Sequence, residues 1–248
     1  MLSNNNQLKE SGHFYKPDGS PAYTYINKKG EIKNSTLREA KKYGWFPSVT
    51  VIMNMAAKPL LQIWMQEQSI LSAITLPRIE GENDFDLMKR IIADSKEQAK
   101  KARDKGEIIH AWVQSYFEAE PVPNDALTYC HNAQAELETL KGNINWRCEM
   151  SFARDGYGGK CDLHTEDYII DIKTTDKPLA DLKTWDEHAQ QLAAYRHGLG
   201  YHKAQCGILF INTLDAGARL VMVEEKDLER GLAMFMCLKD YFYAKTGL

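Results

Sequence analysis

Gly158-Gly159-Lys160-Cys161-Asp162, followed by Asp171-Ile172-Lys173-Thr174-Thr175, is the stretch of sequence that decides the fold of this chain. Polar residues separate the two segments, and the residues that lead into the second one are aromatic or β-branched, as in strands. A two-residue turn at Glu166-Asp167 would join the segments as neighbouring antiparallel strands. The sequence therefore predicts a tight β-hairpin over these residues.

The register of that hairpin decides which side chains meet. With the two-residue turn, Asp162 lies opposite Asp171, and directly opposed residues share a face of the sheet with Cβ atoms about 4.5–5.5 Å apart. Side chains alternate along a strand, so Lys173 joins the two acids while Ile170 and Ile172 point to the other face. The sequence thus predicts one face with two carboxylates and an amino group, and one apolar face.

Two facing carboxylates repel each other unless a proton or a divalent cation neutralises them. Oxygen ligands of this kind suit Mg²⁺ or Mn²⁺, as one or two ions whose coordination a substrate phosphate completes. Lys173 beside the metal could orient an attacking water and stabilise the charge that develops on phosphorus. The alternative is a surface hairpin in which Asp171 and Lys173 form a solvated ion pair. The features that accompany the acids favour metal-dependent cleavage of phosphodiesters.

A helix with a Gln-x-x-x-Tyr spacing follows the hairpin. Gln191 and Tyr195 are four residues apart and therefore lie on one face of that helix. Their amide and phenol groups could contact a phosphate or a base, and the alternative is a surface glutamine beside a half-buried tyrosine. Gly159 removes a side chain where a phosphate must approach the metal, and it is equally compatible with a plain turn or bulge.

These motifs resemble those of a known enzyme superfamily. The segments Gly158–Asp162, Asp171–Thr175 and Gln191–Tyr195 are similar to motif II, motif III and the Gln-x-x-x-Tyr motif of RecB-type PD-(D/E)XK nucleases. Many phage exonucleases and the mitochondrial genome maintenance exonuclease belong to this branch. Gly106–His110 is similar to the upstream Gly-x-x-x-His of the branch, and Pro47–Thr50 to an entry segment of many phage members.

The resemblance implies a role for each matching residue. The metal would be held by four groups, which are the side chains of His110, Asp162 and Asp171 and the backbone carbonyl of Ile172. Lys173 would assist the water, and the Gln191–Tyr195 helix would contact the nucleic-acid strand near the cleaved bond. The resemblance also implies a restriction-endonuclease-like fold and hydrolysis of DNA, with exonuclease action on single strands or ends favoured.

Two further candidates depend on their own surroundings. His110 lies in a helical pattern with an apolar face, so it is either a packed helix residue or, given the hairpin, a metal ligand. Glu149 lies on a strand predicted over Cys148 to Ala153, in which Met150 would face the core. A third acid beside the metal is tolerable only with the metal bound, and the alternative is a solvated strand residue. Glu149 is therefore a candidate catalytic residue with an open role.

Composition argues against several other kinds of site. The five cysteines are scattered, odd in number and without a Cys-x-x-Cys pair, so we expect neither a disulfide framework nor zinc. Some RecB-like relatives carry an iron–sulfur cluster on a compact C-terminal cysteine group, which this sequence lacks, so we expect no cluster. No signal peptide and no membrane-spanning apolar stretch is recognisable, so we expect a cytoplasmic protein with no membrane partner.

The net charge of −3 does not indicate a nucleic-acid binder, but the charge is unevenly distributed. Met88 to Lys105 holds seven lysines and arginines against three acids, a local net charge of +4. The run lies on the same predicted helix as His110 and could carry a nucleic-acid backbone toward the metal. A solvated helix face is the alternative.

The predicted fold class is α/β, with a central mixed sheet flanked by helices. Residues 84–248 would form the nuclease core, and residues 1–83 an N-terminal, mainly helical elaboration open to contact with DNA. A helix is expected over Leu60 to Ile74, with Trp64 in a core. Another is expected from Asp84 to Ala119, with a break near Gly106.

We therefore predict a Mg²⁺- or Mn²⁺-dependent deoxyribonuclease, an exonuclease acting in replication, recombination or repair in a bacterial or phage-infected cell. Its partners would be DNA and a recombination or replication protein. A structure-specific or restriction-type endonuclease with the same chemistry is the first alternative. A non-catalytic nucleic-acid-binding module is the second, and the complete set of Asp162, Asp171 and Lys173 argues against it.

Overall fold

The central feature of the fold is a five-stranded sheet with helices packed on both faces. The structure is a computed structural model that describes residues 13–141 and 144–248, and only the backbone of Leu60, Gln98 and Ala102. The mixed α/β architecture expected from the sequence is confirmed, and it is consistent with a restriction-endonuclease-like core. Within the described ranges, no helix combines the length and the apolar character needed to cross a membrane.

The second half of the chain contains the five strands of the large sheet and two long helices, after a first half that is mainly helical. The strands in the described residues are β1 (Phe14–Tyr15), β2 (Thr24–Ile26), β3 (Ile32–Asn34), β4 (Phe46–Pro47), β5 (Arg147–Arg154), β6 (Tyr157–His164), β7 (Tyr168–Thr175), β8 (Gln205–Asn212) and β9 (Ala218–Met222). The helices are α1 (Leu37–Tyr43), α2 (Val49–Met53), α3 (Pro59–Thr75), α4 (Asp84–Phe117), α5 (Leu127–Leu137), α6 (Asp186–Leu199) and α7 (Glu225–Thr246).

The large sheet has the strand order β5-β6-β7-β8-β9. β7 and β8 run parallel and are joined through α6, whereas the other neighbouring strands are antiparallel. Both faces of β8 are covered, which explains why it is apolar almost throughout: Ile208 faces one core and Leu209 the other. The two acids of the hairpin lie on β6 and β7, near the middle of this sheet.

Two separate cores hold the sheet. The larger one lies between the sheet and helices α2, α6 and α7, and the second lies between the opposite face and helices α4 and α5. The spacing of Leu228, Phe235 and Phe242 places all three on one face of α7, and each is buried in the larger core. Residues of the sheet can therefore contact α2, α6 and α7 on one face and α4 and α5 on the other.

Helix α4 is continuous, so the expected break near Gly106 is wrong. Gly106 lies where the helix crosses the end of β7, and a Cβ atom built on it would be 2.5 Å from Thr174 Oγ1. The glycine is needed for a close helix–strand approach rather than for a change of backbone direction. Asn83 begins the helix, because its side chain accepts a hydrogen bond from the backbone N–H of Asp86 at 3.0 Å.

Strand β5 does not alternate as expected. Met150, predicted to face the core, is 40% exposed, and Cys148 and Phe152 pack into different cores. The reason is Glu149, whose φ of +54° is in the left-handed region and interrupts the alternation of side chains. The prediction of a uniform core-facing row on this strand is therefore wrong.

The N-terminal part of the chain is not uniform. β1 with β4 and β2 with β3 form small two-stranded sheets. In α2, Ile52 lies in the larger core, and the Ser48 side chain begins that helix by accepting a hydrogen bond from Val51 N–H at 3.1 Å. Trp64 on α3, expected in a core, is 38% exposed, because α3 packs mainly against α4 and away from the sheet. The division at residue 83 stays a prediction, and residues 1–12 lie outside the described part.

Candidate active site

The β6–β7 hairpin has the predicted register. Leu163 pairs with Ile170 and His164 with Ile169, which is the alignment that a turn at Glu166-Asp167 produces. The ladder stops at the next residue because the backbone N–H of Ile172 donates a hydrogen bond to Asp162 Oδ2 at 2.7 Å rather than to the main chain of β6. The Asp162 carboxylate therefore lies where the two strands part.

Three groups that can bind a metal meet at this point. His110 comes from α4, Glu149 from β5 and Asp162 from β6, and one ligand atom of each lies within 4.8 Å of the other two. His110 Nε2 is 3.1 Å from Asp162 Oδ2. Glu149 forms an ion pair with Lys160 of β6. The left-handed backbone of Glu149 lies beside Asp162 on the neighbouring strand, so the irregularity of β5 coincides with the site.

The charge around His110 favours its protonated form. Burial alone would lower the pKa of the imidazole, but the hydrogen bond and negative charge of Asp162, together with the charge of Asp171, outweigh burial and raise the pKa of His110. A metal ligand must be a neutral imidazole, so a cation and a proton compete for the same nitrogen.

A second group of side chains links β7 to α6. Lys173 Nζ lies 2.7 Å from Asp171 Oδ2 and donates a hydrogen bond to Gln191 Oε1 at 3.0 Å. Gln191 Nε2 in turn donates to the hydroxyl oxygen of Tyr195 at 2.8 Å. These contacts form a continuous series from the sheet into α6 and hold the Lys173 amino group between two fixed partners.

Burial controls the charge states in this series. Asp171 is 2% exposed, and burial raises the pKa of its carboxyl despite the opposing charge of Lys173, with the charge of Asp162 adding to the increase. Burial would lower the pKa of Lys173, but the neighbouring Asp171 outweighs that effect and the net pKa of Lys173 is raised. The amino group is therefore positively charged at neutral pH and acts as a donor, not as a base.

Several predicted site residues are present but contact different groups from those expected. Among the described residues, Asp171 does not join the three-ligand group, and it lies beside that group as the partner of Lys173. Ile172 contacts Asp162 through its amide N–H. Gln191 and Tyr195 are both buried, so they support Lys173 and offer little surface to a nucleic acid.

Gly159 has a structural reason of its own. It is buried, and a Cβ atom there would lie 2.9 Å from Tyr195 Cε1 and 2.8 Å from Phe152 Cζ. The glycine makes room for the tyrosine ring that fixes Gln191. Its contribution to the site is therefore indirect, and it does not border an open space for a phosphate.

Sequence reasoning missed two contributors. Lys160 was part of the quoted motif but received no role, although it is two residues from Asp162 and can share a strand face with it. The Gly-x-x-x-His spacing marks Gly106, but its contact with Thr174 joins two segments that are far apart in sequence, so no local signal identifies that partner.

The donor set fits a divalent cation. Carboxylate oxygens suit Mg²⁺ and Mn²⁺, and an imidazole nitrogen beside them favours a transition-metal ion such as Mn²⁺. His110, Glu149 and Asp162 are within reach of one ion, and three protein ligands leave positions for water and substrate. Asp171 adds negative charge nearby.

Comparisons with known proteins give similarity of structure only. The chain matches no model of a known protein family and no curated protein. It is similar to a candidate exonuclease from Eubacterium rectale, with 15% identity over 58% of this chain and 68% of that one at a TM-score of 0.41. It is also similar to an alkaline exonuclease from Laribacter hongkongensis, with 12% identity over 57% of this chain and 97% of that one at a TM-score of 0.28. At this level of similarity, the activity has to be argued from the geometry of the site.

Proposed function

We propose that this chain is a nuclease that uses a divalent cation, Mg²⁺ or Mn²⁺, to hydrolyse phosphodiester bonds of DNA from its ends. The observation that carries the proposal is the meeting of His110, Glu149 and Asp162 beside a buried pair of Asp171 and Lys173. Ligands for a cation and a fixed positive charge are the two components that phosphodiester hydrolysis needs.

The chemistry divides between the cation and the side chains. A cation held by His110, Glu149 and Asp162 would supply Lewis-acid polarisation of a phosphoryl oxygen and a bound water of lowered pKa. Asp171, adjacent to this group, adds negative charge that favours a dication over a proton. For Asp171 and the Ile172 carbonyl to act as additional ligands, these two groups must move closer to His110, Glu149 and Asp162 when the cation binds.

Lys173 supplies the fixed positive charge. Its amino group remains protonated because Asp171 raises its pKa, so it can donate a hydrogen bond to the attacking water or to a phosphoryl oxygen. The hydrogen bond to Gln191 Oε1 fixes the position of that amino group. The hydrogen bond from Gln191 Nε2 to the Tyr195 hydroxyl in turn fixes the orientation of the Gln191 amide. We assign Lys173 as a catalytic residue and Gln191 and Tyr195 as positioning residues.

DNA ends are the proposed substrate. The sequence motifs support this, since they resemble those of exonucleases, and so does the positive charge on α4. Lys96, Lys100 and Lys105 lie on the helix that carries His110, whereas Arg90 is paired with Glu82 and Lys101 with Glu97. Part of the basic run is thus a solvated, self-paired face, and of the remaining lysines Lys105 lies within two turns of His110, where a phosphate backbone would approach.

The test uses two forms of one substrate. End-labelled linear single-stranded DNA and closed circular DNA of the same sequence are incubated with the protein in Mg²⁺, Mn²⁺ or EDTA. We expect loss of the linear form only, dependent on the cation, and a decrease of at least about 100-fold in Lys173→Ala, as for removal of a donor to transition-state charge.

The matched control is Lys177→Ala, which removes an exposed lysine just beyond β7 and should leave the rate within about twofold. Cleavage of the closed circular DNA would show that the protein is an endonuclease. If neither form is cleaved under any condition, the proposed hydrolysis is wrong.

A further inference from the structure

Helices α3 and α4 form an arm that lies apart from both cores of the sheet. The arm is α3, residues 76–83 and residues 84–100 of α4. None of its residues takes part in the hydrophobic cores described in the molecule, and the main packing partner of α3 is α4. The arm is therefore a two-helix unit held to the rest of the protein by the continuation of α4.

The arm buries polar side chains and exposes apolar ones. Among its described residues, the two that are buried as a whole are Ser72 and Ser95, and the side chain of Glu82, paired with Arg90, is 7% exposed. Eleven large apolar side chains between residues 61 and 92 are 38% to 75% exposed. Amphipathic helices of a monomer normally show the opposite arrangement, with apolar residues in the contact and polar ones outside.

Six of the exposed side chains form two continuous stripes. Ile63, Ile70 and Ile74 are spaced so that they share one face of α3, and this face is opposite to buried Ser72. Phe85, Met88 and Ile92 share a face of α4 by the same rule. The stripes are therefore ordered surfaces with helical periodicity and not scattered apolar residues.

The exposed area matches a protein interface. With roughly half of a side chain of about 160 Å² exposed at each of the eleven positions, the arm offers on the order of 900 Å² of apolar surface, and the two stripes contribute about half of it. The largest apolar patch on a typical monomer is about 300–600 Å². A stable interface takes about 800 Å² from each partner.

We propose that the arm is a dimerisation element, covered by the same arm of a second copy of this chain in a four-helix bundle. A two-fold interface must be complementary to itself, and an apolar surface meets this condition without matched charges. Glu67 is the single charged residue of α3, so the α3 helices of two copies can approach each other with little like-charge repulsion, whereas the α4 part of the arm carries charges of both signs.

Charge also argues against two other occupants. α3 contains no lysine or arginine, so its apolar stripe cannot neutralise the phosphates of a nucleic acid; the lysines of the arm lie on α4. Helices that lie on a membrane surface carry a strongly charged polar face opposite the apolar one, and α3 has no such face. The proposal does not depend on the proposed nuclease activity, since no residue of the arm is a proposed metal ligand, catalytic residue or positioning residue, although Lys96 and Lys100 of the arm also lie on the proposed path of the DNA.

Sedimentation velocity of the full chain tests the proposal. We expect the wild type to sediment as a dimer at micromolar concentration, and the double variant Ile70→Glu, Ile74→Glu as a monomer with unchanged circular dichroism. Leu214→Glu is the matched control, because Leu214 is also 72% exposed but lies outside the arm. This control should remain dimeric.

Amide hydrogen exchange at two protein concentrations gives a second measurement. Residues 59–92 should exchange more slowly at the higher concentration, and the sheet should not change. A monomeric wild type, a dimeric double variant or an arm whose exchange is independent of concentration would each overturn the proposal. Binding of a monomeric wild type to phosphatidylglycerol vesicles would assign the arm to a lipid surface instead.

Discussion

At the scale of single residues, every carboxylate of the site already has a positive or N–H partner. Glu149 is paired with Lys160, Asp171 with Lys173, and Asp162 accepts from the amide of Ile172. Buried charges without partners are costly, so these contacts allow the centre of the sheet to fold before a cation is present. A cation that binds Glu149 must displace Lys160.

Removal of the Lys160 charge should therefore tighten metal binding. Lys160→Gln eliminates both the competition for Glu149 and the repulsion of a dication by a nearby ammonium. Solvent-accessible ion pairs are worth up to about 1 kcal/mol after screening by water, so we expect a Kd for Mn²⁺ lower by about three- to tenfold.

Calorimetric titration with Mn²⁺ measures the change. Lys203→Gln, an exposed lysine in the loop before β8, is the control and should leave the Kd unaltered. Weaker Mn²⁺ binding in Lys160→Gln would show that Lys160 supports the site rather than competing with the cation.

The pairing of the two acids could be predicted from the sequence because strand alternation and a two-residue turn fix the register. The position of Glu149 could not. Its left-handed backbone breaks the alternation on which that reasoning depends, and such a conformation in a non-glycine residue is imposed by the surrounding structure. The sequence therefore did not indicate that Glu149 would come within ligand distance of His110 and Asp162, while the role of Asp171 as a further ligand stays a prediction.

At the scale of elements, the start of α6 contains a half-buried histidine next to the site. His188 Nδ1 accepts a hydrogen bond from the backbone N–H of Trp185 at 3.2 Å. Burial, with a smaller contribution from the charge of Lys173, lowers the pKa of His188 to about 4. The unfolded chain then binds more protons than the folded one below the ordinary histidine pKa, so stability falls as the pH falls from about 6.5 toward 4.

His188→Gln should reduce this acid sensitivity. Glutamine can still accept the hydrogen bond of the helix start but does not titrate. Between pH 7 and pH 5, the free energy of unfolding should decrease by about 1–2 kcal/mol less in the variant than in the wild type; this range allows for the partial exposure of the ring. Urea unfolding at both pH values measures the difference, and equal losses in the two proteins would disprove the assignment.

The approach of α4 to β7 gives a prediction with an unusual sign. Glycine to alanine within a helix normally stabilises it by about 1 kcal/mol. Gly106→Ala should instead destabilise the protein by about 1–2 kcal/mol and weaken Mn²⁺ binding, because the new methyl group pushes the helix, with His110, away from Thr174.

A double-mutant cycle checks the cause. Thr174→Ala removes the nearest atom, so the combination of Gly106→Ala with Thr174→Ala should recover most of the lost stability in thermal unfolding. If the stability changes of the two single variants simply add up in the double variant, the proposed steric contact is excluded.

Most of the elements themselves could be predicted, since helix starts, apolar periodicity and turn residues are local signals. The continuity of α4 was not predictable, because the reason for Gly106 lies in a strand 68 residues away. The exposure of Trp64 was not predictable either, because an apolar helix has the same sequence pattern whether its own chain or another chain covers it.

At the scale of the whole molecule, the site lies where two layers of helices meet one sheet. His110 reaches it from the α4–α5 layer, and Gln191 reaches it from the α6–α7 layer on the opposite face. This is possible because β6 and β7 part at Asp162, which opens the sheet to both sides. The sequence predicted the members of the site but not that they would come from both faces.

The most direct test of this account is a calorimetric titration of Mn²⁺ into the wild type and into Asp162→Asn. The account predicts binding to the wild type and a decrease in affinity of at least about tenfold in the variant, because Asp162 joins the ligand group to β7. Equal affinity in the two proteins, or no binding to the wild type at millimolar Mn²⁺, would contradict the assignment of a metal centre at this site.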